Sequence, residues 1–183
     1  MTPKRIVVVG LSCSGKSTVA GRLAGILGCP HVELDALFWE PGWVEAEVEV
    51  FRARVQAATM GERWVTCGNY WSKLGPYLWP RADTVVWLDL SLWLIEVRAV
   101  RRTLTRALSR RELWSGNRER LRNLWADDAL WRFNLRHGRR LTARYEEAMA
   151  DPRWAHIEFH RLRSPKEVRG FLTGVAEDAR DRP

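Results

Sequence analysis

Apolar residues recur along this chain with two different spacings. Short, mainly apolar runs with β-branched or aromatic residues, bounded by glycine, proline or charged residues, predict strands. There are five such runs, at residues 5–9, 31–34, 64–67, 83–88 and 157–162. Apolar residues three or four positions apart fill the stretches between these runs, and that spacing predicts helices.

Several of the helices have recognisable ends. The first begins near Lys16 and stops before Gly28, and the last begins at Ser164, followed by proline and, three residues on, glutamate. These are common terminal residues of helices, and the tail from Glu177 is expected to fray. Other helices are predicted at 45–60, from Ser91 into an arginine-rich segment, and at 121–150, with interruptions near 126–127 and 137–138. Strands that alternate with helices predict an α/β fold with a parallel sheet, here as one domain, 1–183.

The segment that joins the first strand to the first helix reads Gly10-Leu11-Ser12-Cys13-Ser14-Gly15-Lys16-Ser17. It matches G-x-x-x-x-G-K-[ST], the phosphate-binding P-loop. Its glycines allow the backbone N–H groups to point inward, and the helix that follows adds its positive end. A glycine-rich turn without function is the alternative, but the preceding strand and following helix favour a nucleotide site.

This pattern assigns roles to individual residues. Lys16 is expected to reach the β- and γ-phosphates of ATP, and the Ser17 hydroxyl to ligate Mg²⁺. The residues expected to bind the cofactor are Gly10, Ser12, Cys13, Ser14, Gly15, Lys16, Ser17 and Thr18.

An acid and a group of aromatic residues follow the second strand. Asp35 lies where parallel strands present residues to a ligand, so it could hold Mg²⁺ or accept a proton from an attacking hydroxyl; it could equally be a helix cap or a loop acid. The Pro-Gly sequence between the aromatic residues argues against a regular element there. The rings could line an acceptor pocket or cover the sheet edge, and they are Phe38, Trp39 and Trp43.

Gly68-Asn69-Tyr70 follows the third strand. A glycine at a strand end permits the backbone to approach a ligand closely, and the next two side chains offer hydrogen bonds and a ring. We therefore include these three residues among the candidate substrate-binding residues, although a plain turn is an equal alternative.

Positive charge is concentrated in the second half of the chain. The net charge is +8, and arginines crowd residues 98–144, where acids are few. An arginine-rich break between two helices is typical of a mobile lid that closes over phosphates. We expect Arg102, Arg106 and Arg110 to supply catalytic charge. The same charge would also suit nucleic acid.

Other classes of protein are disfavoured. No apolar run reaches membrane-spanning length, and the first strand begins too early to leave room for a signal peptide, so a cytoplasmic protein is expected. Cys13, Cys29 and Cys67 are odd in number and lack metal-binding spacing, so neither disulfides nor a zinc site is suggested. The four histidines are dispersed and receive no role.

Several segments together resemble the adenylate-kinase-like P-loop proteins described as topology modulation proteins. The segments are 10–17, Leu34-Asp35-Ala36-Leu37-Phe38-Trp39, Pro41-Gly42-Trp43, Gly68-Asn69-Tyr70 and Glu112-Leu113-Trp114-Ser115-Gly116-Asn117-Arg118-Glu119. The wider superfamily includes nucleoside monophosphate, shikimate and gluconate kinases.

This resemblance implies a three-layer P-loop NTPase fold of the nucleoside monophosphate kinase type. It implies a five-stranded parallel sheet in the order 2-3-1-4-5, an acceptor pocket after strand 2 and an arginine-rich helical lid at about 101–122. Arg118, in the lid segment, is expected to contact substrate. Relatives usually carry an acid at the end of strand 3, where this chain has Cys67, so Asp35 would take over the Mg²⁺ shell or catalysis would be weak.

The leading hypothesis is an ATP-dependent phosphotransferase that acts on a nucleoside, a nucleotide or another hydroxylated small molecule. A nucleotide-dependent nucleic-acid-binding protein is the first alternative, because of the basic charge. A plain ATPase or a nucleotide sensor is the second, because of Cys67. The sequence identifies neither the acceptor nor the oligomeric state.

Overall fold

The computed structural model of the protein describes residues 3–109, 114–117 and 130–180. Its strands, in chain order, are β1 (Arg5–Gly10), β2 (His31–Glu33), β3 (Trp39–Glu40), β4 (Val44–Glu45), β5 (Trp64–Cys67), β6 (Thr84–Leu88) and β7 (Glu158–Leu162). Its helices are α1 (Lys16–Leu27), α2 (Leu34–Phe38), α3 (Val48–Ala58), α4 (Trp71–Leu78), α5 (Leu92–Ser109), α6 (Leu130–Ala150) and α7 (Pro165–Arg180).

Five strands form one parallel sheet in the order β2-β5-β1-β6-β7. This confirms the expected order 2-3-1-4-5, because β3 and β4 form a separate antiparallel pair. The central strand β1 pairs with β5 on one side and with β6 on the other. The loop that follows β1 therefore lies at the middle of the carboxyl edge, where ligands of such sheets bind.

Alternate residues of β1 enter two different apolar layers. Ile6 and Val8 pack with α1 and α7, whereas Val7 and Val9 pack with residues of α3, α4 and α6. Helices cover both faces of the sheet, which explains why nearly every residue of β1, β5 and β6 is buried. Within the described residues, no helix combines the length and the apolar character needed to cross a membrane.

Three predictions about helices are wrong: the limits of one helix, the fraying of the last and an interruption in another. The helix expected at 45–60 occupies Val48–Ala58, because Val44 and Glu45 pair with β3 instead. The last helix remains regular from Glu177 to Arg180. No interruption occurs at 137–138, because Gly138 faces Leu11 and Leu92, and this packing against the loop holds it in α6. The expected interruption at 126–127 lies outside the described residues.

Two elements were not predicted. Residues 37–43 were expected to be irregular, but residues 39–45 form the β3–β4 hairpin, whose turn has Gly42 at φ 78° and Trp43 at φ 61°. Helix α4 contains Pro76 and follows directly on the segment interpreted as a ligand-binding turn. The second strand also ends one residue early, because Leu34 begins α2 and Asp35 lies in its first turn.

Candidate active site

The loop from Gly10 to Gly15 turns sharply from β1 into α1. Gly10 has φ 144°, and a Cβ atom there would lie 2.6 Å from the Leu88 carbonyl oxygen on β6. Gly15 has φ 101°, and Cys13 has φ 64°. Only glycine tolerates the Gly10 position, so the loop can lie close against the sheet edge. The first N–H groups of α1, which have no acceptor within the helix, point into the concave side of such a loop.

Lys16 is folded over this loop. Its Nζ atom donates to the carbonyl oxygens of Gly10 and Leu11, each at 2.9 Å. Burial lowers the pKa of Lys16, and the nearby carboxylate of Asp35 opposes that shift. A half-buried ammonium that donates to carbonyl oxygens is suited to accept a stronger anionic partner.

Asn69 fixes the start of the loop. Its Oδ1 accepts the Gly10 N–H at 3.1 Å, and its Nδ2 donates to the Gly10 carbonyl. The hydroxyl of Tyr145, on α6, donates to the same Oδ1 at 3.1 Å. Asn69 was expected to contact substrate, whereas the structure places its amide against the loop backbone.

Asn134 holds the middle of the loop in the same manner. Its Oδ1 accepts the Ser12 N–H at 3.1 Å, and its Nδ2 donates to the Ser12 carbonyl at 3.2 Å. Asn134 is fully buried on α6. Two asparagines, one after β5 and one on α6, therefore set the loop conformation through paired amide hydrogen bonds.

Two arginines of α5 reach the loop. Arg98 Nη1 donates to the Ser14 carbonyl at 3.0 Å, and Arg102 Nη1 lies 3.8 Å from Cys13 Sγ. Their separation by four residues places both on one face of α5. Arg102 was among the expected catalytic charges. Arg98 was not, although its spacing from Arg102 would have indicated it.

Asp35 lies beside the loop and is oriented by Tyr70. The Tyr70 hydroxyl donates to Asp35 Oδ1 at 2.6 Å. Burial, together with the Asp35 charge and this hydrogen bond, raises the pKa of Tyr70 far above its ordinary value. The Tyr70 ring also packs with Phe38 and Phe51, at centroid distances of 4.8 and 5.0 Å. The Asp35 carboxylate is therefore held by a tyrosine that packs among aromatic rings.

The segment 114–117 covers the hairpin beside Asp35. Asn117 Oδ1 accepts the N–H groups of Gly42 and Trp43, at 2.8 and 3.0 Å, and its Nδ2 donates to the Glu40 carbonyl. The rings of Trp39, Trp43 and Trp114 form successive edge-to-face contacts. The aromatic cluster thus joins the β3–β4 hairpin to a segment from the expected lid.

The end of β5 carries Cys67 against the loop. Its thiol lies 3.7 Å from Ser17 Oγ and 3.4 Å from His31 Nε2. Burial raises the pKa of Cys67 to about 11. At neutral pH the group beside Ser17 is therefore a neutral thiol, not the acid expected from the resemblance.

Some predicted site residues cannot be placed. Arg110 and Arg118 lie outside the described residues, as does the side chain of Arg106. Gly68 has φ 145°, and a Cβ atom there would lie 3.1 Å from Leu34 Cβ, so its glycine identity serves packing at the strand end. Thr18 is exposed in the first turn of α1.

Three residues at the site were missed by the sequence interpretation. Arg98 could have been found from helical spacing. Asn134 and Tyr145 could not, because one lies 122 residues from Ser12 and the other 76 residues from Asn69. Only the return of α6 across the sheet edge brings them to the loop.

Solved structures of two enzymes share this architecture. A shikimate kinase from Bacteroides thetaiotaomicron aligns over 97% of this chain and 99% of its own, with a TM-score of 0.52 and 16% identity. A gluconokinase from Sinorhizobium meliloti 1021 aligns over 98% of this chain and 95% of its own, with a TM-score of 0.51 and 22% identity. These similarities show that the chain has the P-loop NTPase fold.

Comparisons of the sequence itself give no relative. No family model matches the chain, and no curated protein matches it. The assignment of the P-loop NTPase fold therefore rests on structural similarity, since neither sequence comparison identifies a relative.

We predict that Asn69→Ala destabilises the protein because the Gly10 N–H loses its partner and the Gly10 carbonyl is left to the Lys16 ammonium. The expected loss is about 1–3 kcal/mol in the free energy of unfolding. Tyr145→Phe removes one hydrogen-bond donor to the same amide and is expected to cost less, about 0.5–1.5 kcal/mol. Urea unfolding of the three proteins measures both, and equal stability of wild type and Asn69→Ala would contradict the assigned role.

Tyr70 predicts a specific loss of stability at alkaline pH. In the unfolded chain its phenol ionises near the ordinary pKa of 10.0, whereas in the folded protein it stays protonated to higher pH. Its contribution to stability is therefore complete below pH 10.0 and declines above it. Above that pH, wild type should lose about 1.4 kcal/mol per pH unit more than Tyr70→Phe. Urea unfolding of both proteins across this pH range measures the difference. If wild type and Tyr70→Phe lose stability at the same rate as the pH rises, the role assigned to Tyr70 is refuted.

Proposed function

We propose that this protein is an ATP-dependent phosphotransferase that acts on a small hydroxylated acceptor. The observation that carries the proposal is that Lys16, folded over the phosphate loop, and Asp35, held by Tyr70, lie at the same edge of the sheet. The Asp35 charge raises the pKa of Lys16 against the effect of burial. A phosphate-binding cation and a proton-accepting acid are the two groups that phosphoryl transfer to a hydroxyl needs.

The residues of the loop fit the phosphates of a nucleotide. Gly10 and Gly15 have the positive φ angles that such a loop requires, and the buried Ser14 Oγ atom has no hydrogen-bond partner among the described residues. Lys16 would exchange its two carbonyl partners for phosphate oxygens, and Ser17 would hold Mg²⁺. Bound Mg²⁺ would neutralise phosphate charge and orient the transferred group.

The arginines of α5 would supply further positive charge. Arg98 and Arg102 already contact the loop at Ser14 and Cys13. Guanidinium groups at such a place stabilise charge that builds up on the transferred phosphoryl group. Arg106, Arg110 and Arg118 are proposed to join them from the rest of the lid.

Asp35 would orient the acceptor and take its proton. The Tyr70 hydrogen bond fixes the carboxylate, and the rings of Phe38, Trp39 and Trp43 would line the acceptor pocket. An aromatic wall beside one acid suits a flat or ring-shaped molecule that carries a hydroxyl group. The same acid would complete the Mg²⁺ shell, in place of the acid that Cys67 replaces.

The two solved structures support this proposal at the level of fold. One is a shikimate kinase and the other a gluconokinase, so each phosphorylates a small hydroxylated molecule if its name describes its activity. Membership of the topology modulation protein family, proposed from the combined motifs, would place the chain in the same superfamily. We also propose that 1–183 forms a single domain.

Lys16→Ala is expected to reduce ATP-dependent phosphoryl transfer by about 10²–10³-fold, because the transferred group loses its nearest cation. Transfer is measured with a panel of nucleosides, nucleotides and sugar or cyclitol acids, with the phosphorylated product identified by mass spectrometry. Lys166→Ala, at an exposed position of α7, is the matched control. Undiminished transfer by the Lys16 variant would overturn the proposal.

Asp35→Asn is expected to separate acceptor chemistry from nucleotide binding. Transfer should fall by about 10²–10⁴-fold, the usual contribution of a general base, while the affinity for ATP without Mg²⁺ stays within a few-fold of wild type, because Asp35 is proposed to reach the nucleotide only through the metal. Calorimetric titration gives the affinity, and Asp178→Asn, on the exposed side of α7, controls for loss of a carboxylate. ATP hydrolysis that needs no acceptor and survives Asp35→Asn would indicate a plain ATPase.

A further inference from the structure

Three residues of different chemistry meet on the α1 side of the sheet. Within the described residues, His31, Glu33 and Cys67 each offer a ligand atom, and these atoms lie within 4.8 Å of one another. His31 and Glu33 are two residues apart on β2, so their side chains share one face. Cys67 is the register partner of Glu33 on the adjacent strand β5. The parallel pairing of two strands therefore creates the cluster.

We propose that this cluster binds a zinc ion through His31 Nε2, one carboxylate oxygen of Glu33 and Cys67 Sγ. Imidazole, carboxylate and thiolate together favour Zn²⁺ over the Mg²⁺ that oxygen ligands select. The Nε2 and Sγ atoms are 3.4 Å apart, close to the separation of about 3.5 Å expected for two such ligands of a tetrahedral ion. The thiol proton leaves to solvent when the ion binds.

Neighbouring groups already orient these ligands. The Trp114 indole donates to Glu33 Oε2 at 3.0 Å and fixes the carboxylate. Helix α1 approaches the imidazole so closely that a Cβ atom at Gly21 would lie 3.6 Å from His31 Nδ1, and the opposite nitrogen, Nε2, faces Cys67. His31 and Glu33 are half-buried and Cys67 is 4% exposed. An ion could therefore reach the site past the first two residues.

The site adjoins the proposed nucleotide site. Cys67 Sγ lies 3.7 Å from Ser17 Oγ, the hydroxyl proposed to hold Mg²⁺. A second divalent ion here would repel Mg²⁺ and draw Cys67 away from Ser17, so zinc should weaken binding of ATP with Mg²⁺. This consequence rests on the proposed function, whereas zinc binding itself does not.

Cobalt and zinc titrations of the reduced, metal-free protein test the site. We expect one Co²⁺ per chain, with a thiolate-to-cobalt absorption band that one equivalent of Zn²⁺ removes. Cys67→Ser should abolish the band and Cys29→Ser should leave it intact. Absence of the band from wild type, or its persistence in Cys67→Ser, would overturn the proposal.

The other two ligands are tested by variants that do not disturb the core. His31→Gln and Glu33→Gln should each weaken Zn²⁺ binding about 10-fold or more. Glu158 and His160 offer a matched control, because they form the same pair two residues apart on β7, with 3.1 Å between Oε1 and Nε2. His160→Gln and Glu158→Gln should leave the affinity unchanged. Equal affinities in all four variants would refute the assignment.

ATP titrations distinguish this site from the proposed function. Saturating Zn²⁺ should lower the ATP affinity of wild type but not of Cys67→Ser. If zinc binds through the three residues and ATP binds neither with nor without it, the zinc site stands and the proposed function fails. If ATP affinity is the same with and without bound zinc, the antagonism is wrong.

Discussion

The close approach of Gly10 to the neighbouring strand is the constraint on which the site depends. With no Cβ atom, its backbone can lie against the Leu88 carbonyl, where any other residue would collide at 2.6 Å. The carbonyl and N–H of Gly10 are then both taken by Asn69. The loop consequently leaves β1 in one fixed direction, and the N-terminus of α1 is aimed at the centre of the carboxyl edge. The amides of the first turn can serve an anion only because this direction is set by packing.

Positive charge gathers at the loop. Lys16 is half-buried, and Arg98 and Arg102 approach the same few residues. Arg102 lowers the pKa of Lys16, whereas Asp35 raises it, and burial outweighs both. A polyanion bound at this place would meet several cations at once, which is why the loop suits the phosphate ligand of the proposed function.

The fold was largely predictable because its strands are local apolar runs and its loop is a local pattern. The sheet order followed from the resemblance, and pairing of β1 with β5 and β6 confirms it. Local patterns failed where distant residues decide the outcome. The β3–β4 hairpin is held by Asn117, 74 residues from Trp43, and Gly138 stays helical because it packs against Leu11. Neither contact leaves a signal in the neighbouring sequence.

The chemical surroundings of Cys67, at the end of β5, likewise could not be predicted from the neighbouring sequence. Judged by sequence spacing, Cys67 has no metal-binding partner, since His31 is 36 residues away. Parallel pairing of β2 with β5 nevertheless aligns Glu33 with Cys67 and brings His31 to the same face. Spacing rules for metal sites describe ligands on one hairpin or one helix, and they cannot detect ligands on parallel strands that a crossover helix separates. The thiol that stands where the resemblance implies an acid therefore offers a different ligand chemistry 3.7 Å from the Ser17 hydroxyl.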